Sequence, residues 1–330
     1  MDRLDAMLVF LAVVDTGSLS AAGRRLRAPL PTISRKVAEL ERHLGTQLLI
    51  RTSRRVELTE AAREYAIAAR YILEQLQEAE QAVAGEYQEP RGELTVTAPT
   101  MFGELHVLPI ASEFLAAHPK IDLRLFLTDV MVNVVEEHVH VAVRIGELED
   151  SSLMARRVGS TRSITCASPS YLREFGGPQA PEDLTGRDGV TYRGFVSSPW
   201  RYVRGASHVI AEPRARVAVN SPAAAVVAAK AGLGITRALD YQIVSELRSG
   251  ALTPLLEAFE VPALPIHLVF SGQGRLPLKV RAFLDWMAPR LQARLAAEGV
   301  GAPAGQPRPG ASRPAEAPAA SRFTRGSLTI

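Results

Sequence analysis

Cysteine is almost absent: Cys166 is the only one in 330 residues, which excludes an intrachain disulfide framework and a thiolate-rich metal cluster. Apolar runs are broken by polar residues well before membrane-span length, which excludes membrane insertion, and no membrane partner is expected. The first residues, Met1-Asp2-Arg3-Leu4-Asp5, carry acids where a secretory signal has a basic region, so a cytoplasmic location is expected. What is present is a soluble globular composition, 47% hydrophobic and 22% charged, on a chain long enough for two or three folded units.

The formal charge of +3 is a sum of unlike parts. Residues 61–90 hold two Arg/Lys against six Asp/Glu, whereas residues 1–60 hold ten against seven. Within 24–55 the contrast sharpens: Arg24, Arg25, Arg27, Arg35, Lys36, Arg42, Arg51, Arg54 and Arg55 face only Glu39 and Glu41. Such a cluster is the electrostatic footprint of a polyanion site or a solvated basic face, and local architecture decides between them.

Leu4, Met7, Leu8, Leu11 and Val14 follow helical spacing and give the first helix its expected buried face, closed by Gly17. Ser18 or Ser20 caps a second helix, Leu19 to Leu26, whose Ala21, Ala22 and Gly23 permit close contact. Pro31 suits the first turn of a third helix, with Ile33, Val37, Leu40 and Leu44 on one face and Thr32, Ser34, Arg35 and Lys36 on the other. The result is helix, turn, helix, with polar and basic residues at the start of the helix that can enter a major groove. Two short strands around Arg51-Thr52-Ser53 form a basic wing. Thr59 then caps a helix to about Glu86, whose seam of Tyr65, Ala68, Ile72, Leu76, Ala79 and Val83 predicts dimerisation rather than packing on its own chain.

The runs Leu19-Ser20-Ala21-Ala22-Gly23-Arg24-Arg25-Leu26, Pro31 through Glu41, Leu44-Gly45, Leu48-Leu49-Ile50-Arg51-Thr52 and Leu58-Thr59-Glu60-Ala61 together resemble the N-terminal signature of LysR-type transcriptional regulators. The resemblance implies a multidomain α/β protein: a winged helix-turn-helix over 1–59, a linker helix over 60–88, and a two-lobed, periplasmic-binding-protein-like effector domain over 91–300. It also implies a homodimer or homotetramer on double-stranded DNA, a small-molecule effector, and contact with RNA polymerase for an activator. Where the family often has Ser-Gln, this chain has Pro29-Leu30, and leucine cannot make glutamine's bidentate adenine contact. Base readout is then expected from Thr32, Ser34 and Arg35 with apolar contact from Pro31 or Leu30, and phosphate contact from Arg24, Lys36, Arg51, Arg54 and Arg55.

From Leu94 onwards, strands and helices alternate, which predicts a parallel sheet with ligand at the carboxyl ends of its strands. Strands are expected at Leu94–Ala98, Ile121–Leu127 and Val139–Ile145, one helix runs from about Gly103 to Ala117, and another covers Val130–Glu137. The pattern restarts after Ser163 and returns at Ile266–Phe270. Lobe I is thereby set at about 91–162 and 265–295, and lobe II at about 163–264. Thr128-Asp129, the run Val141 to Gly146, Ala231 to Ile235 and Pro277 to Phe283 resemble the family's effector domain more loosely. Thr100, Met101 and Phe102, at a strand-to-helix junction with free N–H groups, together with Thr128, Arg144, Ser197, Asn220 and Thr236, form the expected site for a small anionic or aromatic-acid effector.

No catalytic constellation, cofactor or metal is expected. Cys166 has no adjacent histidine and reads as a buried thiol. His138 and His140 make two ligands without a visible third. Gly232-Leu233-Gly234 follows a helix, the wrong order for a dinucleotide turn, and reads as a helix terminator. A solute-binding protein would account for 91–300 but not for the basic N-terminal unit. Residues 301–330, rich in Ala, Pro, Gly and Ser, read as a disordered tail.

Overall fold

The computed structural model describes residues 2–51, 56–83, 89–130, 139–148, 153–192, 199–272 and 276–302. Arg54, Arg55, the end of the linker, the helix expected over 130–137, His138, Ser197 and the tail beyond residue 302 lie outside the described residues. The chain divides into two compact units, Met1–Ser160 with Leu264–Arg294 and Thr161–Ala263 with Leu295–Ile330.

Helix α1 (Arg3–Thr16) starts at Asp2, whose carboxylate accepts from the Leu4 and Asp5 N–H groups, and ends at Gly17 in the left-handed conformation. Its buried residues are Ala6 and the run Val9 to Val13, while Leu4 and Leu8 are exposed. The buried face is therefore out of phase with the stripe that the spacing predicts, because α2, α3 and α4 all pack on α1 and widen that face beyond a single stripe. Helix α2 (Leu19–Leu26) is capped by Ser18. At Gly23 an added Cβ would meet the Ala28 carbonyl oxygen at 2.8 Å, so the turn into α3 (Leu30–Leu44) closes only over glycine. Ile33, Val37 and Leu40 of α3 are fully buried, but Leu44 is exposed.

Glu41 ties α3 to the wing: its Oε1 accepts from the Leu48 and Leu49 N–H groups at 2.9 and 3.0 Å. The wing strands β1 (Leu49–Arg51) and β2 (Val56–Leu58) pair antiparallel. Thr59 caps α4 (Glu60–Val83) through the Ala62 N–H at 3.1 Å. Ala62, Ala66 and Ala69 are buried in the N-terminal core, with the Tyr65 ring 5.7 Å from that of Phe10. One face of α4, with Ala62, Ala66 and Ala69, thus packs on its own chain, because small residues every three or four positions let it approach α1 closely. Ile67, Tyr71, Ile72 and Leu76 remain exposed on the rest of the helix.

Strand β3 (Gly92–Ala98) leads into the single turn α5 (Thr100–Phe102), a π turn over Gly103–Val107, and α6 (Leu108–Ala117). The π turn interrupts the expected single helix. A Cβ at Gly103 would overlap the Leu127 side chain. Then come β4 (Ile121–Leu127), β5 (Val141–Ile145), β6 (Leu153–Thr161), β7 (Ser163–Ala167), α7 (Pro169–Phe175), β8 (Asp188–Tyr192), the hairpin β9 (Arg201–Arg204) and β10 (Ser207–Ile210), β11 (Arg214–Val219) and α8 (Pro222–Lys230). The chain ends through β12 (Thr236–Leu239), α9 (Val244–Ser249), β13 (Thr253–Leu255), β14 (Leu264–Ser271) and α10 (Leu278–Glu298).

Neither main sheet is wholly parallel. In the first unit the order is β4-β3-β5-β14-β6; β3 is parallel to β4 and β5, and β14 is antiparallel to β5. A segment returning from the other unit needs no helical crossover, so it can enter the sheet in the opposite direction. In the second unit β7 lies between β12 and β13, antiparallel to both, and β8 pairs in parallel with β11. Gly234, at φ +156°, brings the start of β12 against β8, where a Cβ would lie 2.6 Å from the Asp188 carbonyl oxygen. Gly234→Ala is accordingly expected to destabilise the protein by about 1–3 kcal/mol, checked by the urea midpoint of the full chain.

Candidate nucleic-acid interface and effector site

Pro29 occupies the N-cap of α3 with no side-chain cap, and the Thr32 N–H closes onto its carbonyl at 2.9 Å. Pro29, Leu30, Pro31 and Arg35 are exposed, Thr32 and Ser34 half-buried. Sealing Ile33, Val37 and Leu40 inward therefore leaves the start of α3 facing solvent. The charges divide into two groups. Arg25 pairs with Asp15 at 3.0 Å, Arg70 pairs with the same carboxylate, and Lys36 pairs with Asp5. Arg24 and Arg35 are exposed without an ion pair among the described residues. Lys36, expected on phosphate, is thus partly neutralised by α1. Arg51 lies on β1.

Of the residues expected around an effector, Thr100, Thr128 and Arg144 converge at the carboxyl ends of β3, β4 and β5, neighbours in one sheet. Two expectations need correction there. The Thr100 N–H is not free: it donates to Asp129 Oδ1 at 3.0 Å, since a carboxylate is the natural partner of a helix N-terminus. Phe102 is fully buried with its ring 4.8 Å from His106, while Met101 is half-buried. The Thr128 hydroxyl accepts from the Val130 N–H at 3.1 Å, local turn chemistry.

In the second unit, Asn220 is exposed one residue before the Ser221 cap of α8. Thr236 is fully buried, and its hydroxyl donates to the Val190 carbonyl at 2.9 Å, tying β12 to β8; it is structural because β12 turns that side chain into the core.

The competing chemistries find little support in the geometry. Cys166 is buried and its thiol is pushed up to about 12 by desolvation and the Glu246 charge, so it is inert at neutral pH. His140 accepts the Thr95 N–H on Nδ1 at 2.9 Å, which takes that nitrogen away from a metal. Among the described residues no three His, Cys, Asp or Glu side chains are grouped to hold a metal ion, and no single helix is long and apolar enough to cross a membrane. Gly232, at φ +81°, follows the end of α8 as a helix terminator should.

Residues 4–63 match the model of the bacterial regulatory helix-turn-helix protein, lysR family, and residues 87–292 that of the LysR substrate binding domain. The chain belongs to the LysR family of transcriptional regulators. It is 32% identical over 290 residues to an HTH-type transcriptional repressor of Pseudomonas aeruginosa, covering 87% of this chain and 92% of that one. It is 29% identical to the HTH-type transcriptional activator AaeR of Escherichia coli, covering 86% and 93%. Among solved structures, CrgA, a LysR-type regulator from Neisseria meningitidis, aligns with a TM-score of 0.55 at 30% identity, covering 87% and 98%. The full-length Vibrio cholerae virulence activator AphB aligns with a TM-score of 0.55 at 26% identity, covering 86% and 98%.

A LysR-type regulator is a DNA-binding protein with an effector-binding domain and is not an enzyme. Sequence reasoning overlooked Asp129 at the helix start and, in the second unit, the buried Arg162–Glu260 pair with half-buried Arg237. Asp129 stands inside the Thr128-Asp129 motif; the second-unit set joins segments up to 98 residues apart and has no local signal.

These environments set two expected outcomes. Arg35→Ala should weaken DNA binding and lower the slope of log affinity against log salt by about 1, and Lys36→Ala should change that slope less, both read by fluorescence anisotropy. Burial, with Arg294 adding to it, lowers His106 from 6.5 to about 4. A depressed histidine binds fewer protons folded than unfolded, so stability is full above pH 6.5 and is lost as pH falls towards 4. Urea midpoints at pH 7 and pH 5 should differ by about 1–2 kcal/mol in stability, and His106→Phe should reduce that difference.

Proposed function

We propose that this LysR-type regulator acts in the cytoplasm as a homodimer, itself able to pair into a tetramer, that reads two half-sites of double-stranded DNA under the control of a small anionic effector. The proposed parts are a DNA-binding domain over 1–59, a linker over 60–88, and an effector domain over 91–300 whose lobes are 91–162 with 265–295 and 163–264. The exposed start of α3 carries the reading: its polar residues Thr32 and Ser34 and the ion-pair-free Arg35 and Arg24 stand where a base edge and phosphates would be met. Arg51, Arg54 and Arg55 of the wing complete the phosphate contacts. If the protein activates, RNA polymerase is its further partner.

Ile72 and Leu76, exposed on α4, support pairing with a second copy, since a helix of 24 residues with an uncovered apolar strip gains by burying it. For the effector, Thr100, Met101, Thr128 and Arg144 in the first unit and, separately, Asn220 in the second remain as candidate contacts, and Phe102 and Thr236 do not.

Anisotropy with the protein's own upstream DNA tests the first part: a complex that tightens at low salt and prefers that sequence is expected, and its absence overturns the reading. Ile72→Asp combined with Leu76→Asp should turn a sedimenting dimer into a monomer and cost DNA affinity at least about tenfold. An unchanged sedimentation coefficient would remove α4 as the pairing seam.

A further inference from the structure

The apolar stripe of α3 continues past the core that it serves. Ile33, Val37 and Leu40 are fully buried. Leu30 stands three and seven positions before Ile33 and Val37 and so keeps their helical phase, yet it is 46% exposed. It is the first residue of the helix, and helical side chains lean towards the N-terminus, so Leu30 reaches out ahead of the first turn.

That leading turn has little polar to offer. Pro29 and Pro31, both exposed, have no N–H, so Leu30 carries the only one in the run Pro29-Leu30-Pro31. The Thr32 and Ile33 N–H groups close onto the Pro29 carbonyl at 2.9 and 3.2 Å. The nearest side chains with hydrogen-bonding groups, Thr32 and Ser34, are half-buried, and exposed Arg35 stands more than a turn behind.

The charge of the same helix pair favours a polyanion, since Arg24 on α2 and Arg35 on α3 are exposed without an ion pair among the described residues. An apolar tip brought to DNA by such charges is selective about what it meets. In the major groove the edges of adenine, guanine and cytosine present hydrogen-bonding groups, which a leucine pressed on them leaves dry and unpaired. Thymine alone shows an apolar group there, its C5 methyl.

We propose that Leu30 is a specificity-determining residue that reads the C5 methyl of one thymine in each half-site. The leucine covers the methyl, and its own exposed surface leaves water in the same contact. This inference rests on the reading of α3 as the helix that enters the groove, and it names the base met by the tip of that helix.

The test uses the full-length protein and the duplexes that it selects from a randomised pool. Each thymine of the selected half-site is replaced in turn by deoxyuridine, which lacks only the methyl, and affinity is read by fluorescence anisotropy. One thymine is expected at which uracil weakens wild-type binding about fourfold, as for one buried methyl group. Leu30→Ala should cut that ratio to below about twofold. Leu30→Gln introduces a bidentate amide and, in a fresh selection, should exchange thymine for adenine at that position. Leu30 lies outside the buried core, so neither variant disturbs folding. The absence of a methyl-sensitive thymine overturns the proposal. So does a thymine-to-uracil ratio unchanged in Leu30→Ala, or thymine still selected by Leu30→Gln. Any of these results with sequence-selective binding removes Leu30 from base readout and keeps the DNA-binding reading, whereas binding without sequence preference overturns both.

Discussion

The DNA-binding end of the molecule depends on the burial of α1. Its core residues Ala6, Val9, Phe10 and Val13 are sealed by three other helices, and each large apolar side chain so buried contributes roughly 1.5–3 kcal/mol. That packing fixes the rotation of α3, because Ile33, Val37 and Leu40 must meet the same core. Once they do, the helical repeat leaves Thr32 half-buried and Arg35 facing water. Gly23 and Glu41 complete the constraint, one by allowing the α2–α3 turn to close on the Ala28 carbonyl and the other by holding the wing's first strand to α3. The polar start of α3 is thus outward because no arrangement that buries the apolar positions turns it inward.

The same core decides how charge is distributed. Asp5 and Asp15 sit on α1 and draw in Lys36, Arg25 and Arg70. Such partly exposed pairs contribute about 1 kcal/mol or less, too little to organise the fold. Their effect is on selectivity: they screen some of the basic residues and leave Arg24 and Arg35 to act at full charge. A count of nine basic residues between 24 and 55 therefore overstates the charge that a phosphate meets in the described part of the unit.

Much of this architecture was legible in the residues. The helix-turn-helix was readable because its signals are local: Ser18 and Thr59 as caps, Gly17 and Gly45 as stops, and apolar spacing on α3. The phase of α1 was not, since a helix packed on several sides loses the single stripe that periodicity detects. The sheet direction also escaped, because whether a returning strand such as β14 runs parallel depends on the path of the whole chain. The expected effector residues were chosen by position at strand ends, and position does not tell which way a side chain turns. Thr100 and Thr128 came together on one sheet edge, whereas Thr236 and Phe102 turned inward.

The buried charges of the second unit belong to a different category, visible only when three distant segments are brought together. Asp240, hydrogen-bonded through its backbone to Arg162, has both carboxylate oxygens satisfied, and the residue that satisfies one of them, Gly301, is 61 positions away. The fold thus brings in a partner from that distance to meet one buried acid, while Nε of Arg162 and of Arg237 stay buried without an acceptor. An unmet buried donor costs about 1–3 kcal/mol, a large share of the stability of a marginally stable domain. Hydrophobic residues of similar volume would remove that cost.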